Sequence, residues 1–458
     1  MQVLVACSRG QRFDRCPSRI APLSRHLAFL PYIHWGREVL PVFVDVVRPG
    51  ENLAEVARRH GVTPEAIIDL NGLPGPGVTA GLALLIPSSR YVVQPGDSLF
   101  RIAERSGVTV AALRRANPRV GERLTVGQVL RIPPPPRYRG EVIGYLPVLE
   151  PGVTGADIAR WGPNLTYVAI FAYRVDAGGN LTAPDDTEAI RATYAAGAQP
   201  LMSVANVEPT GRFSPAIARG FITQPQARER LIQGILRTLD QKGYAGVDMD
   251  IENIDRSERA GYVDFLRELK GRLGGRLLNV AVAPKWDEET FAYSRGHDYA
   301  GIGEVADRVY LMNYEFHWVG GPPGAIGPFN LVRRVLLYAA SLIPRGKILA
   351  GMPAYGYEWP LPDTPETRAR TLSQADAVNL AVRQGVPIRF SEPDREAWFR
   401  YRADGQEREV WTPDARSYIA KLALVRDLGL AGTGMWHLGF SAPQLVTLLG
   451  RMLQVVRR

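Results

Sequence analysis

At 458 residues, with 46% hydrophobic and 22% charged residues, the chain has the composition of an ordinary globular protein and room for a barrel-sized domain plus smaller modules. No stretch approaches the roughly 18 apolar residues of a membrane span. The only cysteines, Cys7 and Cys16, lie near the N-terminus, so no disulfide framework is expected. The net charge of +9 is uneven: residues 1–41 carry six Arg against Asp14 and Glu38, and residues 42–137 carry twelve Arg against eight acids. Basic character therefore sits outside the larger C-terminal part, as suits a module that docks on an acidic polymer. No nucleic-acid-binding motif accompanies the charge, so nucleic acid is not the expected partner.

In chain order, residues 1–41 read as a basic, disordered tail. Met1–Cys7 is mildly apolar, but Arg9, Arg12, Asp14 and Arg15 cut it short, and no clear signal peptide is expected. Two gapless repeats follow, 42–88 and 89–134, with a period of 46 residues: Gly50/Gly96, Leu53/Leu99, Asn71/Asn117 and Gly81/Gly127 all hold that offset. Each reads as strand, Pro-Gly turn, helix, short helix, strand, with Asn52 and Ser98 capping the first helix and Thr63 and Thr109 the second. The repeats resemble LysM modules. That resemblance implies binding of N-acetylglucosamine-containing glycans, peptidoglycan or chitin, in a groove between two loops, through Gly50, Asn52, Leu53 and Asn71 in the first and Gly96, Ser98, Leu99 and Asn117 in the second. Pro133–Pro136 then marks a stiff, extended Pro-rich linker (135–140) before the larger domain, 141–458.

From Glu141 onward, short apolar runs alternate with amphipathic stretches. Candidate strands are Val142–Val148, Tyr167–Tyr173, Pro200–Ala205, Gly246–Glu252, Leu277–Ala283, Arg308–Met312, Ile348–Met352 and Gly432–Trp436. Eight such runs predict an α/β fold, a (β/α)8 TIM barrel, with active-site groups at the C-terminal strand ends. Residues 354–411 are too long for a simple connection after the seventh strand and predict a small α+β insertion rich in aromatics.

The chemistry concentrates in Tyr244–Ile254. Asp248, Asp250 and Glu252 alternate with Val247, Met249 and Ile251, placing three carboxylates on one face of a strand, neighbours about 6.5 Å apart. Like charges that close resist joint ionisation, so at least one should keep its proton near neutrality. A protonated acid beside an ionised one can cleave a glycosidic bond.

This stretch resembles the D-G-x-D-x-D-x-E signature of glycoside hydrolase family 18, the chitinase-like family, with Gly246, Asp248, Asp250 and Glu252 matching and Ala245 replacing the leading Asp. The segment Leu311–Glu315 resembles the family's M-x-Y-D motif with Glu for Asp, and Gly432–Trp436 its eighth-strand Trp. The resemblance implies Glu252 as proton donor, Asp250 and Asp248 as its catalytic partners, and Tyr314 on the substrate's acetamido group. It further implies Trp436 as the floor of the cleavage subsite, with Met312, Asn313, Tyr145 and Phe171 lining it. His317 is as readily a structural hydrogen-bonding group as a catalytic one. The E-x-H-W and G-G-P-P context resembles the branch of spore-cortex peptidoglycan hydrolases. A retaining, substrate-assisted N-acetylglucosaminidase of the spore coat, cortex or cell envelope is therefore the expected function; a chitinase or a non-catalytic lectin are the alternatives. No metal or cofactor is expected: the six His (26, 34, 60, 297, 317, 437) lack ligand spacing and no Walker-type loop is present. Nothing in the sequence specifies an oligomeric state.

Overall fold

The computed structural model describes residues 41–121 and 123–458, so the expected tail lies outside the described residues except for Pro41. The first repeat is strand Phe43–Val46, helices Leu53–His60 and Pro64–Asn71, and strand Ala83–Ile86; the second is Arg90–Val92, Leu99–Arg105, Val110–Ala116 and Val129–Arg131. Within each repeat the two strands pair antiparallel. All four expected caps form: Asn52, Thr63, Ser98 and Thr109 each accept a hydrogen bond from the backbone N–H three residues on, stabilising each helix by about 1 kcal/mol.

The eight barrel strands are, in chain order, Tyr138–Pro147, Tyr167–Val175, Gln199–Ala205, Gly246–Asp250, Leu277–Val282, Arg308–Leu311, Ile348–Pro353 and Gly432–Trp436. Neighbours pair in parallel, and the first strand pairs with both the second and the eighth, closing the ring. The first strand starts four residues earlier than the sequence suggests, because Leu453–Val455 pairs in parallel with its opening residues. The fourth ends at Asp250, two residues short of the predicted Glu252. There the Asn206 side chain takes over the Glu252 backbone groups, and Asn253 turns left-handed at φ 57°.

Strand alternation sorts the side chains into two layers. Val247, Met249 and Ile251 pack outward among the helices with Leu278, Val280 and Val282. Tyr145, Phe171, Tyr310 and Trp436 fill the barrel interior with Tyr314 and Met312. After the seventh strand the chain builds a five-stranded antiparallel sheet (Tyr355–Leu361, Arg370–Ser373, Arg389–Ser391, Glu396–Ala403, Gln406–Thr412) and one helix, Gln374–Gln384, then returns through helix Ala415–Leu428. This is the α+β insertion the sequence predicts.

The repeats pack against the rest of the chain, and Pro135 of the proline run is itself buried. Val42, Val44, Ala83 and Leu85 join the outer barrel core. The remaining repeat core is continuous with Val378, Ala381, Ile388 and Phe399 of the insertion. No described helix is long and apolar enough to cross a membrane.

Candidate active site

The fourth strand carries Asp248 and Asp250 into the barrel interior, with Glu252 just beyond its C-terminal end. Asp248 stands in register with Ser203 on the third strand and Asn279 on the fifth. Ser203 Oγ donates to its Oδ2 at 2.7 Å, while Asn279 Nδ2 and Tyr145 Oη donate to its Oδ1 at 2.5 and 3.1 Å. Burial pushes the Asp248 carboxyl up to about 6, and those three donors restrain the rise. Asp248 is thus charged at neutrality.

Asp250 has no such support. Burial and the neighbouring Glu252 and Asp248 hold its carboxyl well above the ordinary range, and its Oδ1 is buried with no partner among the described residues. Glu252 is 2% exposed. Burial, reinforced by the charge of Glu315, pushes it up to about 8, so it carries a proton at pH 7.

Two residues that the sequence reading did not single out fix the peptide units around Glu252. Asn206 accepts from the Glu252 N–H and donates to the Glu252 carbonyl, both at 2.9 Å, and donates again to Ser214 O at 2.9 Å. His297 accepts from the Ala283 N–H through Nδ1 at 3.0 Å, so Nε2 carries the proton it gives to Ile251 O at 2.9 Å. Burial pushes this imidazole down to about 4, keeping it neutral. A polar residue inside an otherwise apolar strand was the available signal for Ser203 (PLMSVA) and Asn279 (LLNVAV); Asn206 and His297 lie in loops whose approach only the fold reveals.

Tyr314 and Trp436 belong to the same interior cluster as the carboxylates' neighbours. Phe171 stands edge-on to Trp436 (5.1 Å, 90°), and Tyr145 lies 5.8 Å from it. Tyr145 is fully buried beneath the acids, its hydroxyl committed to Asp248. Asn313 is also fully buried, and neither end of its amide has a partner among the described residues. Glu315, left-handed at φ 61°, accepts at 3.0 Å from both Tyr355 and Tyr357 of the insertion, which joins the insertion to the cleft wall. His317 makes a structural contact, Nδ1 to Pro322 O at 3.0 Å.

In the repeats, Gly50, Asn52, Gly96 and Ser98 are exposed, while Leu53 and Leu99 are core. Asn71 is buried, and its amide bridges Ile67 O, Leu85 O and the Leu85 N–H; Asn117 bridges Leu113 O, Arg131 O and the Arg131 N–H in the same way. Both side chains are committed to holding the second helix on the second strand.

A closed eight-stranded barrel with a buried row of acids at its C-terminal end, one of them protonated at neutral pH, defines a glycosidase scaffold. The profile of Glycosyl hydrolases family 18 matches residues 162–440, and that of the LysM domain matches 46–87 and 91–133. The chain belongs to glycosyl hydrolase family 18 and carries two LysM domains. It is 37% identical over 426 residues to the cortical fragment-lytic enzyme of Bacillus anthracis, covering 90% of this chain and 98% of the relative. The cortical fragment-lytic enzyme of Bacillus subtilis is 34% identical over 301 residues, 65% of this chain and 70% of the relative. The crystal structure of the Bacillus cereus spore cortex-lytic enzyme SleL superposes with a TM-score of 0.84 at 31% identity, covering 91% of this chain and 99% of that one.

Proposed function

We propose that this protein hydrolyses N-acetylglucosamine linkages in peptidoglycan of the spore cortex or its fragments, with retention of anomeric configuration. The observation that carries the reading is the division of charge along one strand: Asp248 ionised among three donors, Glu252 protonated two positions past Asp250. Family membership and the cortex-lytic relatives support the substrate class.

Glu252 donates its proton to the leaving glycosidic oxygen. The substrate's own 2-acetamido oxygen attacks the anomeric carbon, as in the substrate-assisted glycosidases, so no second protein carboxylate is required as nucleophile. The unpartnered Asp250 Oδ1 accepts the acetamido N–H, orienting the acetamido oxygen toward the anomeric carbon as the oxazolinium-like ring forms. Asp248, its own charge fixed, tunes Asp250 from behind. Tyr314 holds the acetamido carbonyl, and Trp436, edge-supported by Phe171, stacks on the apolar sugar face. Glu252, now ionised, then takes a proton from the water that opens the intermediate.

Ala245 replaces the signature's first carboxylate at the entrance to the fourth strand, where its N–H bonds Pro200 O. Seven residues at about 3.3 Å each separate it from Glu252, so the replacement lies at the far end of the strand from the proton donor. Glu252→Gln should lower hydrolysis of purified cortex by several orders of magnitude while the fold stays intact; near-wild-type release of reducing ends would overturn the assignment. Digesting peptidoglycan and chitin side by side, with mass spectrometry of the released ends, tests the substrate class.

A further inference from the structure

The two LysM modules share one sequence pattern but not one environment. In the first, the loop after the second helix meets the catalytic domain at its two ends, at Gly72 and at residues 79–81, while Pro74 and Pro76 between them are exposed. Gly72 packs so closely on Pro443, the first residue of helix Pro443–Met452, that a Cβ would lie 2.3 Å from its ring. Gln444 Nε2 donates to Asn71 Oδ1 at 2.9 Å and to Ala83 O at 2.8 Å. Thr79 Oγ1 donates to Val386 O and Ala80 O accepts from the Ile388 N–H, both at 2.8 Å. At Gly81 a Cβ would meet Ile388 O at 1.8 Å.

Forty-six residues on, the same loop is open. Gly127, the counterpart of Gly81, has nothing within 4 Å of an added Cβ. Val126, the counterpart of Ala80, is 61% exposed, and Phe100, in the first turn of the module's first helix, is 64% exposed. The second module touches the catalytic domain through the C-terminal end of its first helix and the turn after it, where Glu104 pairs with Arg395 at 2.7 Å and Gly107 packs near Met452.

Charge follows the same division. Residues 42–88 hold three Arg against five acids, and Arg59 is tied to Asp45 and Glu51. Residues 89–134 hold eight Arg against three acids. Arg119 and Arg123 replace Leu73 and Gly77 in the open loop, and neither has an ion pair with any described residue. Exposed apolar rings and methyls suit the faces of sugars, and exposed guanidinium groups suit carboxylates.

We infer that glycan docking by the N-terminal pair falls to the second module alone, in the trough between residues 96–99 and residues 117–121 and 123–127, and that its ligand is a glycan strand bearing carboxylates. The first module is a bracket that holds the second at a fixed position relative to the barrel. The inference rests on the glycan-directed reading above but is tested apart from it.

The full chain carrying Glu252→Gln, which leaves the polymer undigested, is sedimented with peptidoglycan sacculi, with sacculi whose carboxyls are amidated, and with colloidal chitin. Pro49→Trp and Pro95→Trp place the same bulk at equivalent exposed turn positions of the two modules, and Arg119→Glu/Arg123→Glu reverses the rim. Pro95→Trp should weaken retention on sacculi about tenfold, a range two or three surface contacts span, while Pro49→Trp binds as the parent does. The double reversal should weaken binding to native sacculi about tenfold and to amidated sacculi or chitin little. Equal losses from Pro49→Trp and Pro95→Trp, or equal losses on charged and neutral polymers, would overturn the inference and leave the hydrolase reading standing. A parent that binds no polymer but still cleaves cortex when Glu252 is restored would do the same. Should Pro95→Trp lower the melting temperature more than Pro49→Trp, the loop reversal decides alone.

Discussion

Glu252 can be tested through stability as well as rate. The folded protein holds a proton on this carboxyl up to about pH 8, whereas an unfolded glutamate gives it up near its ordinary 4.5. Between those limits, raising the pH stabilises only the unfolded chain. At about 1.4 kcal/mol per pH unit the wild type should lose about 5 kcal/mol of stability from this one group as pH rises from 4.5 to 8. Glu252→Gln cannot ionise and escapes the loss. The melting temperature of the variant should therefore pull ahead of the wild type as pH rises, by about 5 °C at pH 8, and the gap should stop widening above that. Any constant difference between an amide and a protonated acid is pH-independent, so the slope alone carries the information. Differential scanning calorimetry from pH 4.5 to 9 reads it directly. The same proton should appear as an alkaline limb near pH 8 in kcat/KM, which reports the free enzyme. A flat melting-temperature gap, or an alkaline limb near pH 5, would refute the argument that burial and Glu315 keep this acid protonated.

Asn206→Ala removes the two hydrogen bonds that tie the Glu252 backbone to the loop after the third strand, and a third to Ser214 O that steadies the amide. It should lower kcat about 10- to 100-fold with little change in KM, since misplacing a catalytic group penalises the transition state more than binding; a loss confined to KM would contradict this. Lys421 and Glu396 form a fully buried pair at 3.0 Å, and Glu396 also accepts the Ile326 and Gly327 N–H groups, anchoring the long loop after the sixth strand. Lys421→Met should destabilise by about 3–5 kcal/mol, because a buried carboxylate loses its cation, measurable by urea unfolding. Gly81→Ala would drive a methyl into Ile388 O at a left-handed backbone position, φ 83°. It should free the first module from the insertion, making Arg58, Arg59 and Arg90 sites of early trypsin cleavage that the wild type resists.

Much of this architecture is legible from one-dimensional pattern. Strand alternation exposed the acid row, the 46-residue period exposed the modules, and hydroxyl and amide residues before helical runs marked all four caps, because each is a local preference acting within a few residues. The length of residues 354–411 likewise revealed an insertion, though not its five-stranded pairing. The end of the fourth strand was misplaced by two residues because a side chain from another loop, Asn206, terminates it.

What the sequence determined by itself is therefore the kind of chemistry and the parts that perform it: carboxylates at alternate positions, a tyrosine and a tryptophan at strand ends, two glycan-type modules. What the tertiary structure alone decided is the state and accessibility of those parts. Asp248 keeps its charge because Ser203, Asn279 and Tyr145, far apart in the chain, converge on it, and Glu252 keeps its proton because burial and the nearby charge of Glu315 disfavour its ionisation. Two repeats with one pattern face different surroundings for the same reason. Burial and partnership depend on which distant segments close over a residue, and no local pattern encodes that.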